Sequence, residues 1–279
     1  MICYIILHYK NINETLECLD NLNKIKGKTS KIIIVDNNSL EKAEEKILRN
    51  YTKDIIKLDK NYGFAKANNI GVKYAKEKYN CDYYVVMNND VYIYQNDFEK
   101  KIINSYKLYN FDMLGPKILS PTGESVNPFH VYKDRKKVEN EITRTKKLIR
   151  IYNNYFLYLL LSLYIKLKHL FKKPIKCENG KKLQKNIALH GCCIIFSKKY
   201  FNKINNAFYN ETFLFHEEEF LYQIMIKNKL ISIYNPELEI FHKEGSSVKK
   251  NNNSIRKSKL FREYERLKSL ELLLEYIDN

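Results

Sequence analysis

The first ninety residues repeat one pattern, a short run of apolar, largely β-branched residues followed by a longer stretch with helical spacing. Ile2 to Leu7 suits a buried strand, and Asn13 to Ile25 carries Leu16, Leu19 and Leu22 at a three-residue spacing that suits a helix. Lys31 to Val35 (KIIIV), Ile55 to Leu58 and Tyr83 to Met87 (YYVVM) read as further strands, with helices over Glu41 to Tyr51 and Ala65 to Tyr79 between them. Strands that are apolar throughout and joined by helices imply a parallel sheet covered on both faces. In such sheets ligands bind beyond the carboxyl ends of the strands. Two of those ends read Asp36-Asn37-Asn38-Ser39 and Asn88-Asn89-Asp90, polar clusters placed where a buried sheet opens.

After Asp97 the pattern becomes mixed. Asp97 to Tyr109, Glu217 to Lys229 and the charged stretch Ile255 to Ile277 read as helices. Met113 to Ile118, Ile187 to Phe196 and Leu230 to Tyr234 read as strands, and Pro121-Thr122-Gly123 as a turn. No internal repeat is visible. With 279 residues, 44% of them apolar, the chain can build one large α/β domain with an appendage, and it is too polar for a polytopic membrane protein. The division expected is a main domain over 1–250, with halves at about 1–120 and 121–250, and a C-terminal helix over 251–279.

The net charge is +17, and its location says more than its size. Val131 to Lys185 holds sixteen Lys or Arg against four Asp or Glu. Inside that stretch lies a helical insertion at about 143–173 with an apolar core, Tyr155 to Ile165 (YFLYLLLSLYI). Lys146, Lys147 and Arg150 flank it on one side, and Lys166, Lys168, Lys172 and Lys173 on the other. Such a core is too short to span a bilayer as a helix, which takes about 20 residues. Two readings stay open, an interfacial helix on an anionic membrane surface and an insertion buried against the domain or a second copy of the chain. Nucleic acid is not an expected partner, because no RRM, KH or zinc-finger signature accompanies the charge. None of the six cysteines forms a C-x-x-C pair, so buried free thiols in a reducing cytosol are expected. The apolar start is too short for a signal peptide, which points to a cytoplasmic protein, peripheral on the inner face of the membrane if the insertion engages lipid.

Four segments carry chemistry. Asn88-Asn89-Asp90 can supply oxygen ligands to a hard cation such as Mg²⁺ or Mn²⁺, although Asn and Asp also make ordinary turns. The loop from Asn61 to Gly71 places Gly63 near a helix start, where free N–H groups attract phosphate. Phe213 to Leu221 sets Glu217, Glu218 and Glu219 in one helical turn. They complement the helix dipole there, and crowded carboxylates raise one another's pKa as a general base requires. His242 follows a strand-like segment and can ligate metal, bind phosphate or serve structure alone.

The segments IIIVDNNS, NYGFAKANNIG, VVMNNDV, LGPKIL, HGCCIIFSKKYF, FLFHEEEFL and FHKEGSS follow one another in this order. In them the chain resembles the family 2 glycosyltransferases of the GT-A fold, in particular the rhamnosyltransferase-like enzymes of bacterial surface-polysaccharide synthesis, such as capsule or O-antigen. The resemblance covers residues 2 to about 247. It implies an α/β, Rossmann-like, mixed but mostly parallel sheet flanked by helices. It further implies inverting, metal-dependent transfer of a sugar from a nucleotide-sugar, a UDP- or dTDP-sugar, to a hydroxyl of a glycan or polyprenyl-linked acceptor. By the same resemblance Asp36 contacts the base or ribose, and Asn61, Gly63 and Asn69 surround the phosphates. Asn88 and Asn89 precede Asp90, which matches the last carboxylate of the DXD-type motif and binds Mg²⁺ or Mn²⁺. His242 matches the histidine that completes the metal site, Glu218 the general base, and Glu217 the residue before it. Two departures matter. The family's Asp is Glu218 here, and the adjacent Glu219 leaves Glu217 and Glu219 open as alternative bases. The first strand ends in His8-Tyr9-Lys10 rather than an Asn-rich pattern. A non-catalytic partner subunit with this fold is the competing reading, and retention of both Asp90 and Glu218 argues against it. The oligomeric state is open, and a homo-oligomer is compatible with the C-terminal helix.

Overall fold

The computed structural model describes residues 1–121, 125–132, 134–170, 182–243 and 252–278. Part of the expected turn at Pro121-Thr122-Gly123, together with Lys172, Lys173, Cys177 and the end of FHKEGSS, lies outside them. The N-terminal half alternates as the apolar runs require. In chain order it comprises β1 (Ile2–His8), α1 (Ile12–Ile25), β2 (Lys31–Asp36), α2 (Lys42–Leu48), β3 (Ile55–Lys57), α3 (Gly63–Tyr79) and β4 (Tyr83–Asn88). Helix starts are set by side chains: Asn11 accepts from the Glu14 N–H at α1, and Glu41 forms a capping box with Glu44 at α2. Asn80 ends α3 in the left-handed conformation that asparagine tolerates.

The second half adds β5 (Val91–Tyr92), α4 (Phe98–Tyr109), β6 (Met113–Leu119), α5 (Arg135–Asn153), α6 (Tyr155–Leu170) and β7 (Gln184–Lys185). It closes with β8 (Cys193–Ser197), α7 (Lys198–Phe201), α8 (Glu217–Lys227), β9 (Ser232–His242) and α9 (Asn252–Asp278). All the strands form one sheet in the order β3-β2-β1-β4-β8-β6-β9-β5, with β7 on β9. β3, β2, β1 and β4 are parallel neighbours, β8 inserts antiparallel between β4 and β6, and β6 and β9 are parallel. The mostly parallel α/β fold is therefore as the sequence implied.

Two apolar cores cover the two faces of the sheet. One gathers Ile6, Leu19, Phe98 and Ile240, the other Ile5, Val72, Phe196 and Tyr234. The sides alternate along β1 as a strand requires. A third, smaller cluster joins Val138 and Ile142 of α5, Phe220 of α8, and Leu270 and Leu273 of α9, so α9 packs on its own chain.

Three expectations are corrected. The strand read over Ile187 to Phe196 begins only at Cys193. Asn186 adopts a positive φ of 55° after β7, and the N–H groups of His190 and Gly191 then turn to the side chains of Asn127 and Glu218 instead of a ladder. Ser232 to His242 is one long strand, bulged at Pro116/Lys117 of its partner, not a short strand ending at Tyr234. Finally, Cys3 and Cys81 are paired as a disulfide, with Cα atoms 6.2 Å apart, because the register Ile2↔Tyr83 sets the start of β1 beside the entry to β4. Cys18, Cys192 and Cys193 remain buried thiols.

Candidate active site

β1, β2, β4, β6 and β9 run the same way, so His8, Asp36, Asn88 and His242 end at one edge of the sheet. β8 begins there because it is reversed, which brings His190, Gly191 and Cys192 to the same edge. α8 points its first turn into the gap. A cavity of about 650 Å³ opens at this place, and its lining includes Asn88, His190, Gly191, Glu217, Glu218, Glu219 and His242.

The β2 side of the site is a tightly bonded loop. Asp36 is buried, and its Oδ1 accepts from the N–H groups of Ser39 (2.9 Å) and Leu40 (3.1 Å), which folds the turn after β2. Asn37 donates to Asn61 Oδ1 (2.9 Å) and to the Gly63 carbonyl (3.0 Å), and its own oxygen accepts from the Tyr62 N–H (2.8 Å). Asn61 Oδ1 in turn accepts from the Gly63 N–H (2.8 Å). Gly63 has φ +78°, and a β-carbon there would lie 2.1 Å from the Phe213 carbonyl oxygen, which accepts from the Phe64 N–H. Only glycine fits that crossing. Asn69 sits deeper: its amide donates to the Phe208 carbonyl (2.9 Å) and accepts from the Phe208 N–H (2.9 Å), which latches α3 to the segment before α8. The structure thus gives Asn61 and Asn69 scaffold bonds and turns neither into the cavity. His8 is buried with Nδ1 2.7 Å from Thr15 Oγ1, and burial lowers its pKa below the ordinary histidine value.

On the other side, Asp90 Oδ1 lies 3.2 Å from His242 Nε2. The contact follows from topology, since β5 turns back onto β9 with Val91 opposite His242, and the Lys243 N–H donates to the Asp90 carbonyl. Asn89 faces away from the cavity and donates to Thr15 Oγ1 (2.8 Å). Among the described residues no group of three or more His, Cys, Asp or Glu is placed to hold a metal ion. Asp90 and His242 are a two-donor set, which suits an ion whose remaining positions come from phosphate and water, as Mg²⁺ prefers.

The three glutamates of α8 have separate environments. Glu219 is buried with Oε2 3.3 Å from His216 Nδ1. Glu217 is buried too. Its Oε1 has no hydrogen-bond partner among the described residues, and burial, then the charge of Glu218, pushes its pKa up to about 8. Glu218 reaches across the cavity, where its Oε1 accepts from the Gly191 N–H (2.9 Å). Of the three, it is the one tethered to the opposite wall with a carboxylate facing a substrate-sized space. Phe215 and His216, just before this turn, both have positive φ (74° and 65°). Strain in successive non-glycine residues gathers at functional sites.

Sequence reading missed several cavity residues. His190 lies with its ring 6.0 Å from that of His242 and accepts from the Cys192 N–H at Nδ1 (3.1 Å). A histidine opening an apolar run was the available signal. Phe129, His130 and Tyr132 reach the cavity from a stretch without secondary structure, and Arg262 and Arg266 reach it from α9 and lie over the Phe215 ring. No spacing in the sequence announces these.

Comparison with known proteins bears on the family and the fold. The model of the family described as Glycosyl transferase family 2 matches residues 3–204. The low-salt glycan biosynthesis hexosyltransferase Agl10 of Haloferax volcanii is 27% identical over 126 residues, 44% of this chain and 38% of that protein, so the match spans under two fifths of that relative's length. Among solved structures, S. aureus TarS in its 1–349 form superposes with a TM-score of 0.55 at 12% identity, over 87% of this chain and 60% of that one. GalNAc-T7, solved with UDP, GalNAc and Mn²⁺, gives 0.54 at 10% identity, over 87% and 44%. At these identities the structural likeness speaks for the fold.

Proposed function

Because the chain belongs to the family 2 glycosyltransferases, we propose that it transfers a sugar, with inversion at the anomeric carbon, from a UDP- or dTDP-sugar to a hydroxyl of a glycan or lipid-linked glycan acceptor in surface-polysaccharide synthesis. The observation that carries this reading is Glu218, held across the cavity by the Gly191 N–H at 2.9 Å, with Asn88 and His242 in the same lining. A carboxylate fixed there can accept the proton that the acceptor hydroxyl loses as its oxygen attacks the anomeric carbon. The bond to the nucleoside diphosphate breaks as the new glycosidic bond forms, and a single displacement inverts the configuration.

Asp36 and the Asn37–Asn61–Gly63 loop hold the nucleotide side of the edge, and Asp90 with His242 stands at the diphosphate side. Asp90 and His242 would hold Mg²⁺ or Mn²⁺, which neutralises charge on a leaving diphosphate when bound. Glu217, protonated near neutral pH, removes one negative charge from beside Glu218 and leaves Glu218 as the acceptor of the proton. The test is release of nucleoside diphosphate from UDP- and dTDP-sugars in the presence of acceptor glycan and Mn²⁺, with the product's anomeric configuration read by NMR. Transfer with inversion supports the reading. A retained configuration overturns the single displacement, and no donor binding or turnover overturns the catalytic assignment.

A further inference from the structure

α6 has a surface that water does not favour. Tyr155, Phe156, Leu157, Leu159, Leu160, Leu163, Tyr164, Ile165 and Leu167 are each between 38% and 68% exposed. Among the apolar side chains of α6 that are described, only Tyr158 is buried, edge-on against Tyr152 of α5 with ring centroids 5.9 Å apart. The chain bends by 113° between α5 and α6. A patch of this size on a soluble protein marks a contact surface, and its shape says with what. A protein groove covers one side of a helix, whereas α6 is apolar on nearly every side, which calls for an apolar medium around it.

Length narrows the choice further. Sixteen residues make a helix about 24 Å long, shorter than the roughly 30 Å hydrocarbon core. No single helix among the described residues is long and apolar enough to cross a membrane. α6 can therefore enter one leaflet without crossing. The charge around it matches an anionic surface. Lys147 and Arg150 are exposed on the last turns of α5, and Lys259 lies 5.6 Å from the Tyr158 ring and Arg256 5.7 Å from the Tyr155 ring at its root. The sequence continues through Lys166, Lys168, Lys172, Lys173 and Lys176.

We propose that α6 is a monotopic anchor that inserts into the headgroup and upper acyl region of an anionic lipid membrane and holds the cavity beside that surface. The orientation follows from α9. Arg256 and Lys259 touch the root of α6, and Arg262 and Arg266 of the same helix line the cavity. Six helical residues, about 9 Å, separate the membrane-side arginine from the cavity-side one. An acceptor carried on a lipid then reaches the cavity without leaving the membrane. This consequence rests on the transfer reading; the anchoring itself does not.

Co-sedimentation of the full chain with phosphatidylcholine vesicles, with and without about 30% phosphatidylglycerol, tests the anchor. Wild type binds the anionic vesicles, and binding weakens as salt rises. Leu160→Asp/Leu163→Asp lowers the bound fraction by about tenfold or more, and Lys147→Glu/Arg150→Glu removes the preference for phosphatidylglycerol. Thermal melts of each variant, with and without a UDP-sugar, confirm folding and donor binding separately from lipid binding. Wild type that stays in the supernatant overturns the proposal, as does an Asp pair that binds like wild type. A dimer by light scattering that the Asp pair dissolves, with no vesicle binding, assigns the patch to a second copy and overturns it too. Failure of donor binding in wild type counts against the transferase reading and leaves the vesicle result standing.

Discussion

At the scale of single residues, the three consecutive glutamates show what environment adds to a motif. In sequence, Glu217, Glu218 and Glu219 are equivalent. In the fold, helical rotation gives one to His216, buries one and turns one to Gly191. Glu218→Gln keeps an oxygen that accepts from the Gly191 N–H, so the fold should hold while turnover falls by about 10²- to 10⁴-fold; steady-state kinetics beside a thermal melt checks both. Glu217→Gln should behave differently. Its carboxyl ordinarily titrates near 4.5 and is raised to about 8 in the fold. Between those values the folded state keeps a proton that the unfolded chain has released, so stability falls as pH rises through the window. Gln carries no such proton, and its advantage over wild type should be absent near pH 4.5 and grow to a few degrees in Tm by about pH 8. A pH-independent difference would show that the burial of Glu217 is not what shifts it. Gly63→Ala places a methyl 2.1 Å from the Phe213 carbonyl at φ +78°, and a loss of about 2 kcal/mol or more in urea unfolding is expected.

At the scale of elements, what was legible follows from periodicity. β1, β2 and β4 were readable because they are buried on both faces and therefore apolar throughout, and their ends pointed to Asp36 and Asn88–Asp90 as edge residues. β8 and β9 were misjudged at their boundaries because the deciding bonds are long-range: Asn127 and Glu218 take the N–H groups of His190 and Gly191, and β9 runs past Pro236 by pairing with β6 on both sides of a register shift. Such partners leave no local signal. The role of α9 was hidden for the same reason. Its packing on α5 and α8 buries Leu270 and Leu273 completely and holds Arg262 and Arg266 at the cavity. Leu273→Ala should cost about 2–5 kcal/mol in urea unfolding, and a measured cost near zero would mean that α9 is detached in solution.

At the scale of the whole molecule, the site joins parts of the chain that meet only when the sheet is complete. Asn88 ends β4 in the first half, Asp90 stands between β4 and β5, and His242 ends the last strand of the sheet. A ligand that touches all of them binds the folded sheet and not its pieces, so it should raise the melting temperature by mass action. If Asp90 and His242 hold the cation and the cation holds the diphosphate, then donor and metal must stabilise together more than the sum of each alone. A thermal-shift matrix of a UDP- or dTDP-sugar with and without Mn²⁺ measures that coupling. The expected result is a shift of several degrees for the pair, a small shift for either alone, and loss of the synergy, with loss of turnover, on addition of EDTA. Asp90→Ala and His242→Ala should each abolish the synergy while leaving the metal-independent part of nucleotide binding in place. Additive shifts, or turnover untouched by EDTA, would remove the cation from the reaction and leave the Asp90–His242 contact as a structural pair that fastens β5 to β9.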